Sequence, residues 1–413
     1  MNDSAPQSEA VTGPRRAAFI FIFITVVLDM LSLGMIIPVL PKLVENFLGG
    51  DTARAAEVFG VFSTAWALMQ FLFSPFLGAL SDSFGRRPLV LISNFGLGLD
   101  YVLMALAPNL WWLFIGRVIS GITSATVPTA FAYITDVTPP DQRAAKFGLI
   151  SAAFGLGFVL GPGLGGVLGS IDPRLPFWLA AVLSLLNGCY GLFVLPESLP
   201  REQRSAFDWK RANPVGALKL LRSHPELSGL ASAVFLIDVA HVVLPSIWVL
   251  YAGYRYGWDE KAVGLSLAVV GICSVIVQAG LVGPIVKAFG ERRAMVLGLA
   301  SGAAGFFCFG VAETATMFLF GIPLLALWGI VNPAINGLMT RHVGHSEQGR
   351  LQGANNSIQG IANLVGPFIF TLTFAWAIGS GKDWNFPGAP FVLSAVFLVA
   401  AAALGWHATR QRH

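Results

Sequence analysis

The sequence is poor in charge and in cysteine. Only 12% of its 413 residues are Asp, Glu, Lys or Arg, about half the share of a soluble domain. That composition excludes an ordinary water-soluble fold. The three cysteines, Cys189, Cys273 and Cys308, sit far apart inside apolar runs. They have neither metal-ligand spacing nor a disulfide pattern and read as small packing residues. There is no phosphate-cradling glycine loop and no polar stretch long enough for a further soluble domain. Energy for any transport must then come from an ion or substrate gradient, unless a partner subunit supplies it. The net charge is only +4, and the basic residues lie in short loops, not in the single patch that a nucleic-acid partner requires. The first 16 residues are polar. The apolar run after them is too long for a signal-peptide core, so it is expected to remain as a membrane span.

What is present is apolar: 55% of residues are hydrophobic and the mean hydropathy is +0.70. Runs long enough to cross a bilayer, ~20 residues each, occur twelve times. They fall near 17–40, 57–79, 88–107, 110–133, 146–168, 175–195, 227–252, 262–284, 294–312, 316–339, 351–376 and 388–409. The sequence also repeats itself. The turn Gly78-Ala-Leu-Ser-Asp82-Ser-Phe-Gly85-Arg86-Arg87-Pro88 has an echo that begins at Gly283, 205 residues later. The same offset relates Gly116 to Gly321, Pro128 to Pro333, and Gly161-Pro162 to Gly366-Pro367. Two related six-span halves follow. The expected layout is an N-terminal tail over 1–16, a first half over 17–195, a linker over 196–226 and a second half over 227–413. Of the 26 Lys and Arg residues, 19 fall on the side of the N-terminus, six on the other, and Arg117 lies within a span. By the positive-inside rule both termini and the linker should be cytoplasmic. The linker's charges read as a solvated face.

Charge inside a span costs roughly 2.5–3.5 kcal/mol on the insertion scale, so the few such residues are the candidates for function. They are Asp29, Asp100, Arg117, and Asp238 with His241. Asp29 has no basic residue in its own span and sits above Gly34 and Pro38, which are expected to loosen the helix and open room for a ligand. Asp100 and Arg117 face each other across a short hairpin, either as a functional site or as a neutralising pair. Asp238 and His241 are three residues apart on one helix face, where a carboxylate and an imidazole can pass a proton near neutral pH. The eleventh run carries Gln352, Asn355, Asn356, Gln359 and Asn363 at helical spacing, a stripe that should face a polar cavity. Gln70 and Gln278 are isolated polar residues in their spans. In the fifth run Gly157, Gly161 and Gly165 recur every four residues, leaving a bare face for close packing of another helix, and Pro162 adds a bend.

At these residues the sequence resembles the major facilitator superfamily, most nearly the twelve-span drug/proton antiporters that export tetracycline. The turn from Gly78 to Leu91 is similar to the superfamily's signature loop, and Gly155 to Gly166 to the glycine-proline motif of the antiporter branch. The likeness runs over most of the chain and is best in the first half. It implies an all-α membrane protein that acts by alternating access. It also implies substrate or proton roles for Asp29, Asp100, Arg117, Gln70 and Gln278. Gly78, Asp82, Gly85, Arg86 and Arg87 would form a cytoplasmic gate with Asp136 and Arg143. Two positions depart from the resemblance: the tetracycline exporters' acid in span 9 and histidine in span 8 are here Gly302 and Ser274. Asp238 and His241 are expected to supply those two chemistries from span 7. In the second half Lys287 replaces the loop acid and Arg341 takes the place of Asp136, so the gate is expected to depend mainly on the first half. The implied protein is a monomer in a bacterial inner membrane. It would be driven by protons without a bound cofactor, and Mg²⁺ would enter only as part of a metal–tetracycline substrate. The competing readings are a carrier of this fold for another drug or a metabolite and, remotely, an intramembrane aspartyl protease built on Asp29 and Asp100. The stretch Gly96-Leu-Gly98-Leu-Asp100 is spaced one residue too long for such a protease.

Overall fold

The computed structural model describes residues 13–410 apart from 125, 208–212, 225–226 and 345–346. The tail expected over 1–16 lies, up to residue 12, outside the described residues, as do the named parts of the linker. Every regular element described is a helix. In the first half these are α1 (Gly13–Ile36), α2 (Leu40–Phe47), α3 (Thr52–Phe84), α4 (Arg86–Leu106), α5 (Leu110–Thr123), α6 (Thr126–Val137), α7 (Pro140–Gly169) and α8 (Leu175–Val194). The linker carries the short α9 (Lys219–Ser223). The second half holds α10 (Ser228–Tyr256), α11 (Glu260–Ile276), α12 (Val282–Val311), α13 (Ala315–Ala326), α14 (Val331–Thr340), α15 (Gln348–Ile378) and α16 (Ala389–Arg410). Local chemistry sets their ends. Pro38 ends α1, because the residue before a proline is pushed out of the helical region, and Pro41 sits in the first turn of α2. Asp51, Asn109, Asp259 and Thr314 each accept a backbone N–H from the first turn of the helix they precede, which satisfies donors left over at a helix start.

Twelve crossings are present. α11 and α12 join through a π-turn at Val277–Leu281 into one apolar stretch of 52 residues. Its length of about 78 Å is more than twice a bilayer core. The stretch is broken at Gly290, whose φ of 74° and ψ of 160° are not helical, so 260–289 and 291–311 are separate crossings. Gly85, 205 residues earlier, has φ 108° and ψ 161°. The same turn is built twice, at the two places where the sequence repeats, and glycine is what that backbone allows. The fourth and tenth spans, each a single run by sequence, are each made of two helices. One breaks at Ser124 between α5 and α6, the other in a 3₁₀ turn at Leu327–Ile330 between α13 and α14. Ser124 and Gly329 differ by the same 205 residues.

Within the first half α1 packs on α7 and α8, and α4 on α5 and α8; within the second, α10 packs on α15 and α16, and α12 on α13 and α16. α10 is buried along most of its length. At its end Trp248, Tyr251, Phe309, Phe318 and Phe391 interlock. The polar ends of two of these rings are satisfied, Trp248 Nε1 by Ser266 Oγ at 3.0 Å and Tyr251 by the Phe309 carbonyl at 3.1 Å, as buried Trp and Tyr require.

The halves meet along two seams, α3 with α15 and α7 with α11. Both seams are tight at the face opposite the linker and open toward it. On the first, a Cβ at Gly60 would strike Thr371 and one at Gly360 would lie 2.5 Å from the Phe71 ring, but Gly78 and Gly349 have open space around them. On the second, Gly166 lies against Glu260 and Gly264, and Gly271 lies against Val159. A Cβ at Gly155 would already be 3.8 Å from Val275, and one at Gly148, Gly280 or Gly283 would meet nothing within 4 Å. The molecule is therefore a wedge open on the face that carries the Gly85 turn and the linker.

Candidate functional site

The three charges of the first half gather round Tyr101. Asp29 on α1, Asp100 on α4 and Arg117 on α5 are all buried, and Tyr101, buried with them, interacts with all three. Asp100 and Arg117 are not an ion pair, since none of their charged atoms lie within 4.0 Å of each other. The guanidinium of Arg117 instead lies over the Trp66 ring, 5.1 Å from its centroid, a cation–π contact. Asp100 is wedged beside Gly116, where a Cβ would sit 2.9 Å from Oδ1. Ser120 is the polar side chain beside it, yet neither carboxylate oxygen has a well-formed hydrogen bond among the described residues. An unsatisfied buried acid is costly. The expectation that Gly34 opens room beneath Asp29 is not met. Gly34 packs on Gly161 and Pro162, each 3.0 Å from a Cβ built there. α1 is closed against α7 because the bare face predicted for the fifth span is the one it meets. Gly157 lies under Met30, a Cβ at Gly161 would lie 2.7 Å from the Gly34 Cα, and Gly165 lies under the Met35 carbonyl.

In the second half Asp238 and His241 do share a face of α10, but they form no ion pair or hydrogen bond with each other among the described residues. His241 is exposed in the middle of an otherwise buried helix, and its ring packs on Trp328 with centroids 5.4 Å apart. Trp328 lies in the 3₁₀ break of the tenth span. It also fills the space over Gly302, where a Cβ would be 2.9 Å from its ring and 2.9 Å from Leu398. No acid fits at position 302 while Trp328 stands there. Gln278, in the π-turn, lies against Gly329 of the same break. In the first half Gln70 Nε2 donates to Ser124 Oγ at 3.1 Å, at the break of the fourth span. Each half thus sets a glutamine against the interrupted span. Short 3₁₀ and π segments inside long helices often mark functional hinges. Of the amides on α15, Gln352, Asn356 and Gln359 are exposed, and Asn355 donates to Asn336 Oδ1 on α14 at 3.1 Å. Trp66, Tyr101, Trp328 and Asn336 were not foreseen from sequence, where an aromatic or amide in an apolar run carries no signal of its partner.

The gate residues do come together. Arg86 reaches Asp136 at 3.1 Å, Asp82 at 2.5 Å and Ser81 Oγ at 3.1 Å. Arg87 donates to the Leu192 carbonyl at 2.6 Å. Arg143 is a correction. It pairs with no carboxylate among the described residues but donates to the Thr138 and Thr135 carbonyls at 3.1 and 2.9 Å, which caps the end of α6. The linker is also more than a solvated face. Glu197 accepts the backbone N–H groups of Arg86 and Arg87 at 2.8 and 3.3 Å. Ser205 N–H donates to the Asp82 carbonyl at 3.2 Å, and Ser357 Oγ on α15 donates to the Pro214 carbonyl. The second half has an ion pair between Glu291 and Arg341 at 2.9 Å, with the Arg341 side chain largely exposed.

The family model described as Major Facilitator Superfamily matches residues 22–367. The chain belongs to the Major Facilitator Superfamily. Among curated relatives it is 39% identical to the class C tetracycline resistance protein of Escherichia coli, over 94% of this chain and 96% of that one. It is 36% identical to the class E protein of Escherichia coli over 88% of each. Among solved structures it shares its fold with a bacterial homologue of the human lysosomal transporter Spinster, solved inward-facing and occupied. That match has a TM-score of 0.77 and 18% identity, and covers 97% of this chain and 98% of that one. This superfamily member is a multi-pass membrane protein of the transporter type. The two stretches that carried the resemblance form close contacts: the signature loop is the Arg86 cluster, and the glycine-proline motif is the seam of α7 with α1.

Proposed function

We propose that this transporter exports a drug of the tetracycline class, as its complex with Mg²⁺, in exchange for protons, acting as a monomer in a bacterial inner membrane. The observation that carries the reading is the likeness to tetracycline resistance proteins along nearly the whole chain. The face carrying the Gly85 turn and the linker is cytoplasmic, in line with the Lys and Arg distribution, so the wedge is open to the cytoplasm and ready to load cargo. Asp29, Asp100 and Arg117 form the charged side of the central site. Asp238, His241, Gln278 and the α15 amides Asn355, Asn356 and Gln359 form the other. The unsatisfied Asp100 and the acids at 29 and 238 take up either a proton or the cationic part of the cargo, and that exclusion couples the two. Asp238 and His241 carry the proton chemistry for which Gly302 and Ser274 leave no group. The halves then rock about this site to open the far face.

Accumulation of tetracycline into inverted vesicles held acid inside tests the reading. Uptake is expected with Mg²⁺ and should be lost in Asp29→Asn. Loss of proton-driven uptake in neither Asp238→Asn nor His241→Ala would remove the α10 coupling site. The one observation favouring a second reading is the Trp328–Gly302 contact, which reshapes the second-half wall with an aromatic ring. If tetracycline is not accumulated but another aromatic drug or metabolite is, the antiporter stands with a different cargo.

A further inference from the structure

The charges of the signature turn recur in the second half with every sign reversed. Asp82, Arg86 and Asp136 correspond, at the constant offset of 205 residues, to Lys287, Glu291 and Arg341. The contact at the centre is kept. Arg86 meets Asp136 at 3.1 Å, and Glu291 meets Arg341 at 2.9 Å. Residues 86 and 291 each follow the positive-φ glycine, Gly85 or Gly290. The same backbone turn therefore aims each side chain at the inner half of a broken span, α6 in one case and α14 in the other. The seat for Glu291 is shaped on α14, because a Cβ at Gly337 would lie 2.6 Å from its carboxylate oxygen. The corresponding residue of the first half is Ala132.

The reversal also resolves a problem at the helix start. A helix N-terminus favours negative charge. α4 begins with two arginines and takes its carboxylate from Glu197 in the linker. The residue 205 positions after Glu197 is Ala402, which cannot supply a matching carboxylate to 291–311. There Glu291 brings its own. Each half supplies one carboxylate to the helix start and one opposite charge from the broken span, by two different routes.

We propose that Glu291 and Arg341 are a positioning pair for transport, a second gate that ties 291–311 to α14 as Arg86 and Asp136 tie α4 to α6. The proposal extends the transport reading above but is testable without its cargo. The test uses the full chain with the three native cysteines replaced by serine and spin labels at Phe84→Cys and Phe289→Cys. These two exposed positions are equivalent in the two halves and report the width of the open face. Glu291→Arg and Arg341→Glu each bring like charges into contact. Each is expected to shift or broaden the distance distribution and to lower the maximal transport rate about tenfold with KM little changed. The exchange of both residues restores the ion pair but not the carboxylate at the start of 291–311, and should return the distribution and rate most of the way to wild type. A double variant as perturbed as either single one, or single variants that change neither readout, would overturn the pairing. A wrong cargo shows itself differently, as no transport in any variant with the distance results intact.

Discussion

Placing a methyl on Gly264 should change which way the transporter faces. The α7–α11 seam joins the two halves, and at Gly264 a Cβ would run into the Pro162 carbonyl and approach the Gly166 Cα to 2.9 Å and its nitrogen to 3.1 Å. All three obstacles are backbone, so no side chain can rotate away and the helices must separate. Overpacking of this kind costs about 1–3 kcal/mol. The gain in helix propensity from Gly to Ala, about 1 kcal/mol, applies in both conformations and cancels from their ratio. The clash exists only where the seam is closed on the far face. Gly264→Ala should therefore move the population toward the form closed on the linker face by about 5- to 150-fold. Double electron–electron resonance between labels at 84 and 289 would read this as a shorter distance. Gly283→Ala, where a Cβ meets nothing within 4 Å, is the control and should leave the distribution unchanged. Gly161→Ala strikes α1 within the same half and should lower folded yield without changing the balance. The reasoning is refuted if Gly264→Ala leaves the distance unchanged, or if Gly283→Ala shifts it equally.

Three further outcomes follow. Glu197→Ala removes the acceptor of four backbone N–H groups, those of Arg86, Arg87, Ser198 and Leu199; a thermal unfolding series should show a loss of about 1.5–3 kcal/mol, with Glu197→Gln losing less. Asp100→Asn removes an unsatisfied buried carboxylate, so it should raise thermal stability by about 1–3 kcal/mol while abolishing transport; lower stability would mean that the acid has a partner in the resting state. Gly302→Asp should lower the folded yield because Trp328 and Leu398 occupy the space, and adding Trp328→Ala should recover part of that yield; equal yields for the single and double variants would discount the steric argument.

Much of the architecture could be read from the sequence because apolar length and a fixed repeat offset are one-dimensional signals. The twelve spans, the paired turns at Gly85 and Gly290, and the bare face of α7 all follow from such signals. The breaks at Ser124 and Leu327–Ile330 do not, since apolar runs continue through them and only the packing of Gln70 and Gln278 marks the interruption. The family resemblance grouped Arg86 with Asp82 and Asp136, and the three do meet. Three contacts depend on where a flexible side chain goes and were not fully legible in the sequence: Arg117 lies over the Trp66 ring, Arg143 donates to carbonyls, and Glu291 meets Arg341. The last was half visible, since Arg341 stands at the offset from Asp136, but the matching exchange of Arg86 for Glu291 has meaning only once both are seen to touch. Gly34 shows the same limit from the other side. A glycine beneath an acid reads equally well as room for a ligand or as room for a helix, and the bare face of α7 decided for the helix.

The most direct test of drug export coupled to protons is the pH gradient itself. Inverted vesicles are energised acid inside, Mg²⁺–tetracycline is added, and the gradient is followed with a pH-sensitive dye. The wild-type transporter is predicted to collapse the gradient on addition of the drug, and Asp29→Asn and Asp238→Asn are predicted not to. A gradient untouched by tetracycline in the wild type, or a collapse that survives both substitutions, would contradict the account.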